Sequence, residues 1–293
     1  MGDFVRMITA SGAAVCYSAD TTDMVAQAEA IHKTSAVVTA ALGRLMTAAS
    51  IIGAGLKGEG NSVTLRVKAD GPTGAVIAVA DSNGNVKGYV QNPVVELPLN
   101  QFGKLDVSGA VGKNGSLYVM KDLGLKEPYM GMVPLVSGEI AEDITSYFAT
   151  SEQTPSVCAL GVLVNPDLTV RAAGGFLVQL LPGAVEEDIT KLEQNVAKLR
   201  SVTQMLESGL NPEQIAELVL EGMEPQLLDK RTVEYRCDCS RSRVEKALRS
   251  LEAAELRAMI DEDGKAEVCC HFCNHRFHFS KESLEALLAE KTK

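Results

Sequence analysis

The residues of this sequence whose type and spacing could do chemistry are its cysteines. Seven are present, and five of them lie within 37 residues near the C-terminus: Cys237, Cys239, Cys269, Cys270 and Cys273. An odd and clustered set of thiols is not the pattern of a disulfide framework. In a reducing compartment such thiols are usually metal ligands or reactive groups. Cys16 and Cys158 stand alone in the sequence, and we expect them to be structural thiols.

Four of the clustered cysteines form two close pairs. Cys237-Asp-Cys239 is followed, after thirty residues, by Cys270-His-Phe-Cys273. Four thiolates in two pairs are the soft ligand set that a tetrahedral zinc site needs. The spacing therefore predicts one zinc ion on Cys237, Cys239, Cys270 and Cys273.

Cys269 complicates the second pair, because it also precedes Cys273, at C-x-x-x-C spacing. We prefer Cys270 as the ligand, since a C-x-x-C loop fits a metal knuckle better. Cys269 is then either a buried thiol or a resolving cysteine. Four thiolates fill the tetrahedron, so nearby histidines are expected to lie outside the coordination sphere or on the surface: His271, His275 and His278.

The same thiols permit a redox switch. Zinc-bound sulfurs are thiolates, which is the form that peroxide and hypochlorous acid oxidise. A domain of about 60 residues is marginally stable without a bound metal or another cross-link, so loss of the metal would unfold it. From the residues alone, a purely structural zinc site remains the alternative.

The elements that position the thiols fall into three segments. Residues 1–183 are predicted to form an α+β core domain, with helices near 22–31 and 35–56 followed mainly by strands. Asn83-Gly84 and Asn114-Gly115 are hairpin signals. Since strands and helices do not alternate strictly, a doubly wound sheet is a poorer fit.

The middle segment, 184–234, is predicted to be an amphipathic helical linker. Residues 184–230 carry ten acidic and four basic side chains, a net charge of −6. Apolar residues recur every three or four positions from Ile189 to Leu206, and Asn211-Pro212 marks the start of another helix. This apolar stripe is either packed permanently or covered and exposed in turn. Residues 235–293 form the predicted zinc-binding domain.

Charge and hydropathy exclude several classes of partner. The net charge is −10, and the last segment carries eleven basic and eleven acidic residues. Neither balance suits a nucleic-acid binder or an anionic membrane surface. The apolar stretch 36–56 contains Arg44 and is predicted to be a buried helix, and no targeting segment is evident. We therefore expect a cytoplasmic protein.

Longer motifs give a specific resemblance. The segment CDCSRSRVEKAL…MIDEDGKAEVCCHFCNHRFHFS resembles the switch domain of the redox-regulated heat-shock chaperone family of 33 kDa. HKTSAVVTAALGRLMTAAS, GSLYVMKDLG, YMGMVPLVSGEIAEDITSYFATSEQTPS and AAGGFLVQLLPGA resemble the core motifs of that family, in the right order. The match covers nearly all of the chain.

The resemblance implies a chaperone rather than an enzyme. It implies that the reduced protein is a compact, largely inactive monomer with zinc on the four cysteines. Oxidation would pair Cys237 with Cys239 and Cys270 with Cys273, release zinc and unfold the switch domain and linker. The active form would dimerise, hold unfolding client proteins without ATP and pass them to ATP-dependent refolding chaperones.

A different function for the same sulfurs stays open. Cys270 and Cys273 have the C-x-x-C spacing of a thiol–disulfide oxidoreductase, which needs an exposed thiol of low pKa on a folded scaffold. The roles of Cys269 and Glu152 are also open: the first adds a fifth cysteine to the family's four, and the second lies in a family motif without an assigned chemistry.

Overall fold

The structure of the chain is a computed structural model that describes residues 1–291, and it confirms the α+β class. The chain forms two compact units, Met1–Arg236 and a second that begins at Cys237. The strands are β1 Gly2–Thr9, β2 Ala14–Asp20, β3 Ser62–Ala69, β4 Val76–Asp81, β5 Val86–Val90, β6 Gly115–Asp122, β7 Tyr129–Pro134, β8 Ser156–Val164, β9 Val170–Leu180, β10 Pro225–Val233, β11 Lys265–Cys269 and β12 Arg276–Ser280.

Ten α-helices are described, together with a π-helical turn at Met259–Asp263. The helices are α1 Thr22–His32, α2 Ala36–Ala54, α3 Val107–Val111, α4 Ala141–Thr150, α5 Glu186–Lys198, α6 Val202–Glu207, α7 Pro212–Val219, α8 Arg241–Ser250, α9 Ala253–Ala258 and α10 Lys281–Lys291.

Two antiparallel five-stranded sheets build the first unit. Their strand orders are β10-β1-β2-β9-β8 and β5-β4-β3-β6-β7. The predicted hairpin at Asn83-Gly84 joins β4 to β5. Gly84 adopts a φ of 85°, a conformation that a residue with a side chain would adopt only under strain. The predicted hairpin at Asn114-Gly115 is wrong. Gly115 is the first residue of β6, which pairs with β3 and β7. The Asp70 carboxylate accepts hydrogen bonds from the backbone N–H groups of Lys113 and Asn114 just before the strand.

Helix α2 lies in the centre of the first unit. It packs against β4, β8 and β9, and nearly all of its residues are buried. Small side chains permit this close packing: a Cβ on Gly43 would meet Val25 and Val162, and one on Gly53 would meet Ala80. The helix is long and apolar enough to cross a membrane, but 89% of its most apolar window is buried inside the protein.

The segment predicted to be helical over 184–234 is helical only in its first part. Helices α5, α6 and α7 follow the predicted stripe, with a break before Ser201, which caps α6. Asn211 caps α7 as expected, its side chain accepting from the Gln214 backbone at 3.0 Å. Residues Pro225–Val233 form strand β10 instead, paired along β1. Sheet pairing with a distant strand overrides local pattern there, because β1 supplies main-chain partners that periodicity cannot reveal.

The second unit is small. It contains α8, α9, the π-helical turn, the β11–β12 hairpin and α10. Its core has six buried apolar side chains: Leu248, Ile260, Phe277, Phe279, Leu284 and Leu287. A core of that size supplies little stability by itself.

Candidate metal centre

The four predicted ligand thiols meet in the second unit. The Sγ atoms of Cys237, Cys239, Cys270 and Cys273 all lie within 4.8 Å of one another. Cys237 Sγ is 3.7 Å from Cys270 Sγ, and Cys239 Sγ is 3.4 Å from Cys273 Sγ. All four are free thiols and half-buried. Each member of one pair therefore contacts a member of the other.

The first pair lies in an extended segment directly before helix α8. Ser240 caps that helix, its hydroxyl accepting from the Arg243 backbone at 3.3 Å. The helix therefore begins only after Cys239, so both thiols of the pair lie on irregular backbone that can turn toward the second pair.

The second pair lies in the connection between β11 and β12. Cys270 N–H donates to the His275 carbonyl at 2.9 Å, and Asn274 N–H donates to the Cys270 carbonyl at 2.8 Å. Asn274 has a φ of 57°, a left-handed conformation that Asn tolerates. These bonds close a tight loop around Cys273.

Arg241 links the two halves of the centre, which sequence reasoning did not detect. Its guanidinium lies 4.4 Å from the centroid of the Phe279 ring and donates to the His278 carbonyl at 2.9 Å. The side chain thus fastens the start of α8 to β12. Its position two residues after Cys239 was the only available signal.

The thiols differ in their proton affinity. Burial raises the pKa of Cys237 to about 11 and also raises the pKa of Cys239. Burial acts in the same direction on Cys270, but backbone hydrogen bonds from Phe272 and Cys273 outweigh it, so the Cys270 pKa is lowered. Without a cation, the cluster therefore resists carrying several thiolates at once.

The donor set fits a tetrahedral metal ion. Zinc–sulfur bonds of about 2.3 Å place two sulfurs of one site about 3.8 Å apart, close to the two contacts across the pairs. A divalent cation also offsets the repulsion among thiolates. The four cysteines can hold a metal ion.

Cys269 and the three histidines lie outside the thiol cluster. Cys269 is exposed on β11, opposite Arg276. The His275 ring packs against Phe277 at 4.5 Å, His278 lies 3.4 Å from Glu267, and His271 is exposed. Cys16 and Cys158 lie on β2 and β8 in the first unit, where burial raises the pKa of each thiol.

The apolar stripe predicted in the linker packs against one of the two sheets of the first unit. Helices α5 to α7 cover an apolar face of the first sheet, which we call the covered face. Its residues are Val5, Met7, Ala14, Cys16, Phe176 and Val178. Against it pack buried side chains of the helical segment, among them Leu192, Met205 and Ile215. Of the predicted stripe, Leu192 and Val202 are buried in this core, and Val196, Leu199 and Leu206 are partly buried against it.

Glu152 lies in a polar cluster beside strand β7. Its carboxylate accepts from Lys121 Nζ at 2.6 Å and from the Tyr147 hydroxyl. Burial would raise the pKa of Glu152, but these two hydrogen bonds prevail and lower it. Lys121 also lies 5.7 Å from the centre of the Tyr129 ring. The side chain joins α4 to β6.

The fold and site define a class: a two-unit α+β protein with a C-terminal module whose four clustered thiols can hold a metal ion. Comparison with known proteins specifies the family. The family model described as Hsp33 protein matches residues 3–280, and the chain belongs to the Hsp33 family.

Relatives support that assignment over the full length. The chain is 51% identical to a 33 kDa chaperonin of Clostridioides difficile over 291 residues, covering 99% of this chain and 100% of the relative. It is 46% identical to the 33 kDa chaperonin of Bacillus subtilis, with full coverage of both. The crystal structure of the 33 kDa chaperonin from Thermotoga maritima is similar at a TM-score of 0.90 and 38% identity, covering 99% and 98% of the two chains.

Proposed function

We propose that this protein is a redox-regulated, ATP-independent chaperone that binds unfolding proteins under oxidative stress. The observation that carries the proposal is the four-thiol cluster in a unit with a small core. The name of its relatives, 33 kDa chaperonin, supports the chaperone part. Binding of clients, rather than catalysis, is the activity.

The reduced state uses Cys237, Cys239, Cys270 and Cys273 as ligands of one zinc ion. Zinc there supplies the charge that keeps the sulfurs as thiolates and the free energy that folds the small unit. Hydrogen peroxide oxidises the thiols in pairs, Cys237 with Cys239 and Cys270 with Cys273. Each pair of thiolates gives two electrons to one peroxide and becomes a disulfide, while the peroxide takes up two protons from solvent and leaves as two water molecules.

Disulfide formation removes the ligand set, so the second unit loses its main source of stability and unfolds. The proposed division of the chain into core 1–183, linker 184–234 and switch 235–293 describes what happens next. The linker follows the switch and leaves the covered face, whose apolar side chains then bind clients. The active protein dimerises and transfers clients to ATP-dependent refolding chaperones in the cytoplasm.

The test measures zinc release, free thiols and suppression of client aggregation on one sample before and after peroxide. Wild type is expected to lose one zinc and four thiols as suppression begins. A Cys237→Ser, Cys239→Ser variant should not show this oxidant dependence, whereas a Cys158→Ala, Cys269→Ala variant, which also lacks two thiols, should retain it. An identical oxidant response of the wild type and the first variant would contradict the switch.

A second candidate function is thiol–disulfide exchange by Cys270 and Cys273. The lowered pKa of Cys270 favours it, since a low pKa supplies thiolate. Catalytic reduction of insulin by the metal-free protein, lost in a Cys270→Ser variant, would support this function over the chaperone.

A further inference from the structure

Strand β10 is an edge strand made from the segment that the proposed function releases. It pairs with β1 from Gly2↔Val233 to Thr9↔Pro225, and it ends four residues before Cys237. No other described element joins this edge of the sheet. If the linker leaves, β1 becomes the edge, so the inference rests on the proposed function.

Main-chain pairing attaches β10 to β1 along its whole length, and Arg231 adds a side-chain contact: it lies 5.7 Å from the centre of the Phe4 ring and donates to the Ser82 carbonyl at 3.1 Å. Gln226, Leu227 and Leu228 are exposed, and the pairing shifts register between Arg6 and Met7 of β1. On the side of the helical segment, β10 offers Lys230, which pairs with Glu213 of α7 at 2.8 Å. Most of β10 therefore buries little apolar surface, and only Val233 at its end is fully buried.

Strand β1 is held independently of β10. It pairs with β2 from Asp3↔Asp20 to Ile8↔Val15. Its side chains are buried on both faces, with Phe4 in the central core and Val5 and Met7 in the covered face. After β10 leaves, β1 remains in the sheet with a row of unpaired N–H and C=O groups on one side, and such a row pairs readily with another extended chain.

We propose that the β1 edge binds an extended segment of an unfolded client polypeptide by strand addition. Main-chain hydrogen bonds make the binding tolerant of client sequence, while alternate side chains lie along the uncovered Val5 and Met7. A segment with apolar residues at alternate positions buries more surface there than β10, which places Lys230 on that side. A client segment is thus a better occupant than β10 of a second copy.

Hydrogen exchange of the full-length, peroxide-activated protein tests the proposal, with reduced carboxymethylated α-lactalbumin as the unfolded client. Without client, the β1 amides that donate to β10 should exchange at least about tenfold faster than in the reduced protein. Client should restore their protection. If the activated protein suppresses client aggregation in the peroxide assay but β1 exchange does not change when client is added, the strand-addition proposal alone is overturned. If the activated protein does not suppress client aggregation, the proposed function is overturned as well. Protection of β1 in the client-free dimer would show that the edge stays occupied, by β10 of the same chain or by a second copy, and would also overturn the proposal.

A peptide pair tests the main-chain contribution separately. A nine-residue peptide of alternating Val and Thr should bind the activated protein, and the same peptide N-methylated at alternate residues along one edge should bind at least about tenfold more weakly. The methylation leaves the side chains in place. Strand addition would be overturned if the peptide methylated along one edge and the peptide methylated along the other both bound as tightly as the unmethylated peptide.

Discussion

Cys269 and Cys270 are neighbours in the sequence, yet the fold gives them different surroundings. Cys270 contacts Cys237 across the cluster, while Cys269 is exposed on β11. The end of β11 explains the difference: Cys269 is its last residue, whereas Cys270 lies in the connection to β12, where the loop hydrogen bonds to His275 and Asn274 hold it. The paired spacing alone led to the four thiols that the structure brings together, but the contribution of Arg241 needed the packing of Phe279, which spacing does not encode.

A serine scan separates the two neighbours. Cys239→Ser removes a proposed ligand, so zinc affinity should fall by more than the roughly 10–100-fold that loss of an outer hydrogen-bond partner causes. Cys269→Ser should keep one zinc per chain at unchanged affinity. Competition with a chromophoric chelator measures both constants, and loss of zinc from the Cys269→Ser variant would contradict the ligand assignment.

Glu152 is expected to stabilise the first unit. Glu152→Gln leaves Lys121 without its anionic partner in a mostly buried site, and we expect a loss of about 1–3 kcal/mol in urea unfolding. The matched control is Asp23→Asn, which breaks an exposed ion pair with the N-terminus and should cost at most about 1 kcal/mol. Equal losses in the two variants would show that burial of the Glu152 pair has no effect.

The Glu152 contribution should also depend on pH. Because hydrogen bonds from Lys121 and Tyr147 lower its pKa in the fold, the stabilisation is complete above the unfolded carboxyl pKa, roughly 4.3. It is lost as pH falls through the lower folded pKa. The difference in stability between wild type and Glu152→Gln should therefore shrink below about pH 4, and a difference that grew on acidification would contradict the pKa direction.

At the scale of elements, helices α5 to α7 and strand β10 decide how firmly the covered face is closed. The amphipathic period and the Asn211-Pro212 cap were enough to predict the helices. They were not enough to predict β10, whose exposed Leu227 and Leu228 show no alternation between core and solvent. A strand held by main-chain bonds leaves little trace in side-chain pattern.

Two leucine-sized residues on α7 provide a matched test of linker packing. Ile215 is 1% exposed against the covered face, whereas Leu218 on the same helix is 37% exposed. Ile215→Ala should weaken the packing by about 2–5 kcal/mol and lower the peroxide concentration at which aggregation suppression begins. Leu218→Ala should leave that concentration nearly unchanged, and equal shifts in both variants would indicate that the linker does not control activation.

At the scale of the whole molecule, stability is divided unequally between the two units. The first unit has two sheets around α2 and a second core under α5 to α7. The second has six buried apolar residues and a thiol cluster. The sequence indicated this inequality through length and cysteine clustering, while the extent of the first unit, to Arg236, depends on the β10 pairing.

Metal removal should therefore unfold the second unit and leave the core around α2 folded. With a zinc chelator and a thiol reductant together, amides of β11 and β12 should lose protection from exchange, since the proposed metal ion would supply most of the stability of a unit with so small a core. Amides of β3, β4 and β9 should remain protected. Exchange measured by mass spectrometry on full-length protein distinguishes the outcomes, and retained protection in the β11–β12 hairpin would show that its apolar core suffices.

Helix α2 has a consequence for how the chain is made. Its burial depends on β8 and β9, and β9 ends at Leu180, some 125 residues after the helix itself. At about 5–20 residues per second, translation leaves this apolar segment without two of its three main partners for roughly 6–25 s. A member of a chaperone family thus passes through a nascent stage in which it exposes an apolar helix of its own.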